Sequence, residues 1–461
     1  MLSLLAALAA SSVTAMPSET PLALNPANPH YFTFRGKPTV LITSGEHYGS
    51  VLNLDMRHEP YLDALKRDGL NLTRTFSGVY CESPADFNIR ENTLAPAANR
   101  YITPWARSSQ PGYPNGGNRF DLTKWDDAYF ARLKSFVSEA EKRGIVVELV
   151  LFCPFYGDSM WNLSPMNAKN NVNGVGTMPR DEMYTLRHPE MVAVHDAVVT
   201  KIVTELRDAP NLYYEICNEP YFGGVTLEWQ KHISETIAKA ESGLPHSHLI
   251  AQNIANDWAK VENPNPLVSI FNFHYASPPR AVYENYRLGK AIAFDETGFK
   301  GSDDFTYRAQ AWEFLLAGGA VFDNLDYSFT AAKPEGTMHV SAPTPGGGSP
   351  ELRRQLSFLK RFMAGLDFVH MAPDLTSLKS AGADVTSTLL SRPGMWYAAY
   401  FQGGTKAEAR LDLPGGDYQV EWLDPAGCKS LVKATFTHGG GVRELDSPPY
   451  TQDVVMRIRR R

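Results

Sequence analysis

Up to about residue 370, short continuous apolar runs alternate with segments whose apolar residues recur every three or four positions. The first pattern marks strands buried on both faces, and the second marks helices packed along one side. Residues 38–43 predict a strand and 61–68 a helix that Gly69 stops. The pair recurs as strand 70–76 and helix 125–143, the helix carrying Tyr129, Phe130, Leu133, Phe136 and Val137 on one face. A long loop rich in Pro, Gly and Asn separates the two. Strand 145–152, interrupted only by Glu148, precedes another long loop and a helix at 189–207. Further strands are expected at 212–217, 248–252, 268–275, 291–295 and 320–324, with helices at 226–241, 279–286, 303–317 and 350–366. Eight strands alternating with helices predict an α/β fold, a parallel sheet closed into a (β/α)8 TIM barrel. An open doubly wound sheet would carry a Gly-rich phosphate turn after an early strand. None appears, and Gly346, Gly347 and Gly348 come too late to serve.

Beyond residue 374 the rhythm becomes strict alternation in the runs 396–401, 407–413, 418–423 and 454–458, parted by Gly, Pro and Asp. This predicts a small all-β sandwich, with Trp396 and Trp422 between its sheets and hairpin-type turns at 403–405 and 414–417. A chain of 461 residues exceeds what one core usually fills. The expected organisation is a signal peptide at 1–15, a catalytic barrel at 20–370 and the sandwich at 374–461. Residues 1–10 form an apolar run too short to span a bilayer, followed by the small-residue site Val13, Thr14, Ala15. The leader lacks a basic residue, so a buried N-terminal helix is its alternative. Read as a leader, it implies a secreted or periplasmic protein.

Charge narrows the function. A net charge of −6, with no basic stripe before the tail at 457–461, gives no electrostatic footprint for nucleic acid or an acidic membrane. A neutral substrate fits better, and the 11% aromatic content suits sugar stacking as well as core filling. Cys81, Cys153, Cys217 and Cys428 show no metal-type spacing, so neither metal nor cofactor is expected. Cys153 and Cys217 are expected at the ends of neighbouring strands as buried free thiols, with pairing as the alternative.

Two carboxylates carry the chemistry. Cleaving a glycosidic bond needs a proton for the leaving oxygen and a second carboxylate to capture or support the sugar's cationic centre. In such a barrel, catalytic side chains converge from the C-terminal ends of strands. Glu219 follows the strand at 212–217 within Asn218-Glu219-Pro220, where Pro220 ends the ladder, and Glu296 follows the strand at 291–295, before Thr297 and Gly298. With His274 and Tyr275 ending the sixth strand, the pattern resembles the clan A glycoside hydrolases, which include the cellulases and mannanases of family five. The resemblance covers residues 30–330. It implies a retaining hydrolase with Glu219 as acid/base and Glu296 as nucleophile. It further implies that Asn218 bonds a sugar 2-hydroxyl, that His274 and Tyr275 orient the nucleophile, and that Arg74 keeps it ionised.

One departure stands out: many clan members carry a Trp at the end of strand eight, whereas residues 321–327 here contain none. Asp323, Asn324 and Asp326 are expected to bind sugar hydroxyls in its place. Glu46, His47 and Tyr48 after strand one, and Tyr156, Trp161 and Asn162 after strand three, are expected to line the cleft. Asn71 and Asn162 begin glycosylation sequons, but Asn71 falls in a strand. The expected partner is an oligo- or polysaccharide. A transglycosylase using the same pair, or a non-catalytic carbohydrate-binding protein on the same barrel, are the alternatives.

Overall fold

The computed structural model describes residues 20–244 and 246–461, so the leader expected at 1–15 lies outside the described residues. The eight apolar runs form one parallel sheet: β1 (Leu41–Gly45), β2 (Leu72–Phe76), β3 (Val146–Phe152), β4 (Leu212–Cys217), β5 (Leu249–Asn256), β6 (Ile270–His274), β7 (Ala291–Glu296) and β8 (Val321–Leu325). Their order is β1-β8-β7-β6-β5-β4-β3-β2. The ring closes between β2 and β1 through Asn71. Its backbone N–H donates to the Ile42 carbonyl (3.2 Å), its Oδ1 accepts from the Ile42 N–H (2.9 Å), and its Nδ2 donates to the Val40 carbonyl (2.9 Å). This sequon asparagine is therefore a seam of the barrel.

Around the sheet run α1 (His58–Arg67), α2 (Asp127–Arg143), α3 (Pro189–Leu206), α4 (Leu227–Ala240), α5 (Arg280–Asn285), α6 (Asp304–Leu316) and α7 (Pro350–Ala364). Asp126, Thr226, Asp303 and Ser349 each accept a hydrogen bond from a first-turn N–H. Side-chain caps of this kind satisfy donors that the helix itself leaves unpaired, which is why Thr226 and Asp303 read as helical in the sequence but lie just outside. Among the described residues no helix is long and apolar enough to cross a membrane.

Four expectations need correction. The run at 38–43 is not one strand: Lys37–Thr39 closes a small sheet with Ala23–Leu24 and Phe32–Phe34, and β1 begins at Leu41. The long loop after β2 holds a β-hairpin, Trp105–Pro111 against Asn118–Trp125. The turns at 403–405 and 414–417 are not hairpins, since each carries the chain from one sheet of the C-terminal domain to the other. That domain packs a six-stranded antiparallel sheet against the three strands Leu378–Ser380, Glu408–Leu413 and Gly441–Asp446. Trp422 is in the core between them, whereas half-buried Trp396 packs on the barrel side.

The two parts are clamped together. Arg308 of α6 donates from Nε and Nη2 to the two carboxylate oxygens of Asp453, both at 3.0 Å, and Tyr400 donates to the same carboxylate. Trp312 stacks on Tyr400 with ring centroids 6.1 Å apart. Cys217 pairs in register with Phe152, which places Cys153 beside it, and all four cysteines are free thiols.

Candidate active site

At the C-terminal rim of the barrel a cavity of about 400 Å³ opens, and Glu219 and Glu296 both line it. Glu296 is the last residue of β7, and Glu219 comes two residues after β4, followed by Pro220, which cannot extend the ladder. One carboxylate oxygen from each lies within 4.8 Å of the other, and both lie within 4.8 Å of a ring nitrogen of His274. Tyr48, Glu219 and Tyr275 hold left-handed backbones, with φ of 60°, 38° and 51°. Such conformations cost free energy in non-glycine residues and persist only where surrounding contacts enforce them.

Those contacts are dense. Glu296 Oε2 accepts from Arg74 Nη1 and from the Tyr48 hydroxyl, both at 3.2 Å, and its Oε1 accepts from the Tyr275 hydroxyl at 2.8 Å. Glu219 Oε2 accepts from the Tyr156 hydroxyl at 2.6 Å, while Oε1 accepts from Tyr221 at 3.1 Å and meets His274 Nδ1 at 3.2 Å. His274 also lies 3.6 Å from Glu296, and its Nε2 lies 3.4 Å from Asp295. The ring thus serves both carboxylates, where the resemblance implied the nucleophile alone. Arg74 reaches beyond Glu296: its Nη2 donates to Glu215 (2.6 Å) and to Asn218 Oδ1 (2.8 Å). Its guanidinium also lies over the Tyr48 ring at 4.5 Å. Asn218 lines the cavity while its Nδ2 donates to the Tyr156 hydroxyl at 2.8 Å.

Electrostatics follow from this packing. Burial works against a charge on His274, yet Glu296, Glu219 and Asp295 together push the ring up to about 9. Burial alone would raise Glu219, but the bond and charge of His274, helped by Tyr156 and Tyr221, hold it below the ordinary range. Beneath the site, burial pushes Glu148 and Asp323 well above the usual carboxylate range. Among the described residues two groups have ligand-like spacing for a cation: Glu219 with His274 and Glu296, and Glu148 with Glu215 and Asp295. In the first, His274 Nδ1 is already spent on Glu219.

The loop candidates divide. His47 lines the cavity, its Nε2 3.4 Å from Glu82, and Tyr48 and Tyr156 line it too. Glu46 does not. Its buried carboxylate accepts from the Gly49 and Ser50 N–H groups and the Ser50 hydroxyl, capping the turn after β1. Trp161 is buried against Phe155, and exposed Asn162 ends a one-turn helix away from the cavity. Asp326 is held by Arg353 Nη1 at 2.5 Å and by Ser44 at 2.9 Å, Asn324 bonds Ser44 and Thr297, and Asp323 is buried. None of the three lines the cavity. From the end of β8 it is Leu325 that lines the cavity. Several site residues went unread in the sequence, among them Tyr221, Glu82, Phe87, Phe222 and Phe299. Tyr221 directly follows Asn218-Glu219-Pro220 and was findable there, whereas Glu82 lies in a loop without pattern.

Residues 60–268 match the family model for cellulase, glycosyl hydrolase family 5. Solved structures share the architecture at low identity. A candidate glycoside hydrolase from Bacteroides vulgatus is 15% identical with a TM-score of 0.65, the match covering 96% of this chain and 83% of the other. A glycoside hydrolase family 5 protein from the same organism is 13% identical with a TM-score of 0.62, covering 95% and 94%. A family 5 mannosidase from Rhizomucor miehei is 13% identical with a TM-score of 0.51, covering 76% and 100%. These likenesses establish the shared fold. No curated protein sequence matches the chain.

Proposed function

We propose, from the family 5 match over residues 60–268 and the converging glutamates, that the chain is a clan A glycoside hydrolase that cleaves O-glycosidic bonds with retention of configuration. Glu219 is the acid/base and Glu296 the nucleophile. Glu296 attacks the anomeric carbon while Glu219 gives its proton to the leaving oxygen, so the old C–O bond breaks as a glycosyl ester forms. Water, deprotonated by Glu219, then attacks the same carbon and releases Glu296. Arg74, Tyr48 and Tyr275 hold Glu296 aimed through three hydrogen bonds, and Asn218 offers its side chain to the sugar beside the pair.

The observation that carries this reading is the separation of the pair. One oxygen of each carboxylate lies within 4.8 Å of the other. Retaining pairs lie about 5 Å apart, and inverting pairs stand at roughly 6.5 Å or more. Proton NMR of the anomer first released, on whichever glucoside, mannoside or galactoside is turned over, tests it: retention is expected and inversion refutes it. Glu219→Gln is expected to abolish kcat/KM for substrates with poor leaving groups while largely sparing kcat/KM for activated aryl glycosides, whose first step needs no acid. Equal loss on both would count against the acid role.

A further inference from the structure

The cavity is two-sided. Around Glu296 it is polar: Tyr48 bonds the carboxylate, His47 stacks on Tyr48 with centroids 5.4 Å apart, and Glu82 faces His47. Around Glu219 it is a wall of aromatic rings. Tyr156, whose hydroxyl bonds Glu219, packs edge-on against Phe87 (5.3 Å) and Phe222 (5.8 Å), and Ile89 and Leu94 extend the apolar lining. Phe299 adds a ring against Tyr275 at 5.9 Å. Phe87, Phe222 and Phe299 are 39%, 43% and 49% exposed, which sets them among the few large apolar side chains left in water, and all three line this one cavity. Phe87 and Phe299 also hold left-handed backbones, φ of 56° and 55°, so the fold bears strain to present them.

The acid in a retaining pair protonates the leaving oxygen, so whatever departs must lie beside Glu219. A sugar there would need partners for several hydroxyls; Phe87 and Phe222 offer none, and the nearby Tyr221 hydroxyl is already spent on Glu219 and Asn256. Among the described residues no tryptophan lines the cavity, so the usual platform for a sugar ring is missing as well. We infer that the leaving group is an apolar, non-sugar aglycone, an alkyl or aryl alcohol, seated against Phe87 and Phe222. The inference rests on the roles proposed for Glu219 and Glu296.

The test compares methyl, butyl and octyl glycosides of glucose, mannose and galactose, in both anomeric forms, with the disaccharides and glycosyl fluorides of the same sugars. Fluorides need neither acid nor aglycone contact, so they report the pair alone. The expected result is kcat/KM rising by up to about fourfold per methylene, with octyl glycosides ahead of disaccharides. Phe222→Ala and Phe87→Ala should flatten that slope, while Phe222→Leu should keep most of it. Turnover of fluorides with no dependence on chain length, or disaccharides preferred over octyl glycosides, overturns the aglycone inference alone. No turnover of any fluoride overturns the catalytic pair and this inference with it.

Discussion

Replacing His274 by Gln removes the one cation that both carboxylates share. The ring is fully buried and lies 3.2 Å from Glu219, 3.6 Å from Glu296 and 3.4 Å from Asp295. Its rise from 6.5 to about 9 corresponds to about 3 kcal/mol of preference for the charged ring. Glu219 is held low by the same contact, so the resting proton of the Glu219–His274 pair belongs to the ring. Acid catalysis needs that proton on Glu219. The transfer is internal, so competence does not depend on pH until the pair loses its proton near 9. The native kcat/KM for an alkyl glycoside should therefore keep its basic limb near 9. In His274→Gln only Glu219 can store the proton, and the limb should fall into the carboxylic-acid range. A dinitrophenyl glycoside, whose departure needs no acid, should lack the shift. Stability has its own sign: a raised folded-state value means stabilisation fully present below about 6.5 and lost as pH rises through about 9. An unmoved basic limb in the variant, or a native limb already in the carboxylic range, would refute the shared proton.

Other perturbations separate structure from chemistry. Asp453→Ala leaves the Arg308 guanidinium buried without its carboxylate and should cost about 3–5 kcal/mol in urea unfolding; a loss below about 1 kcal/mol would mean the clamp between barrel and sandwich is weak. Asp326→Ala strips Arg353 of its 2.5 Å partner and should lower the melting temperature while leaving KM close to native. A raised KM with native stability would return Asp326 to the sugar. Arg74→Lys cannot reach Glu296, Glu215 and Asn218 together and should lower kcat by roughly 10- to 100-fold with a smaller change in KM. Native kcat would remove Arg74 from the account of Glu296.

The barrel was legible because its strands are buried on both faces and so read as unbroken apolar runs, each with a one-sided helix behind it. The pair was legible because Pro220 and Gly298 mark where two of those runs end. The edge strand Lys429–His438 is largely exposed on both faces and carries no alternation. The hairpin arm Trp105–Pro111 turns polar and exposed toward its tip, so loop composition hid it. Within the site, local sequence says which residues follow a strand but not which distant side chain claims them. Asp326 reads as a rim carboxylate until Arg353 of α7 is brought onto it, and Glu46 until the chain folds back at Gly49 and Ser50. The wider role of His274 depends on the register shift between Phe273 and His274 where β6 meets β7, which no periodicity encodes.

The most direct test is to trap the covalent intermediate. A glycosyl donor fluorinated next to the anomeric carbon and carrying a good leaving group slows release from the nucleophile, and mass spectrometry of the digested protein then finds the labelled peptide. One sugar per chain, attached to Glu296, is the result predicted. An adduct on any other carboxylate, or turnover of the parent donor without an adduct, would contradict the mechanism.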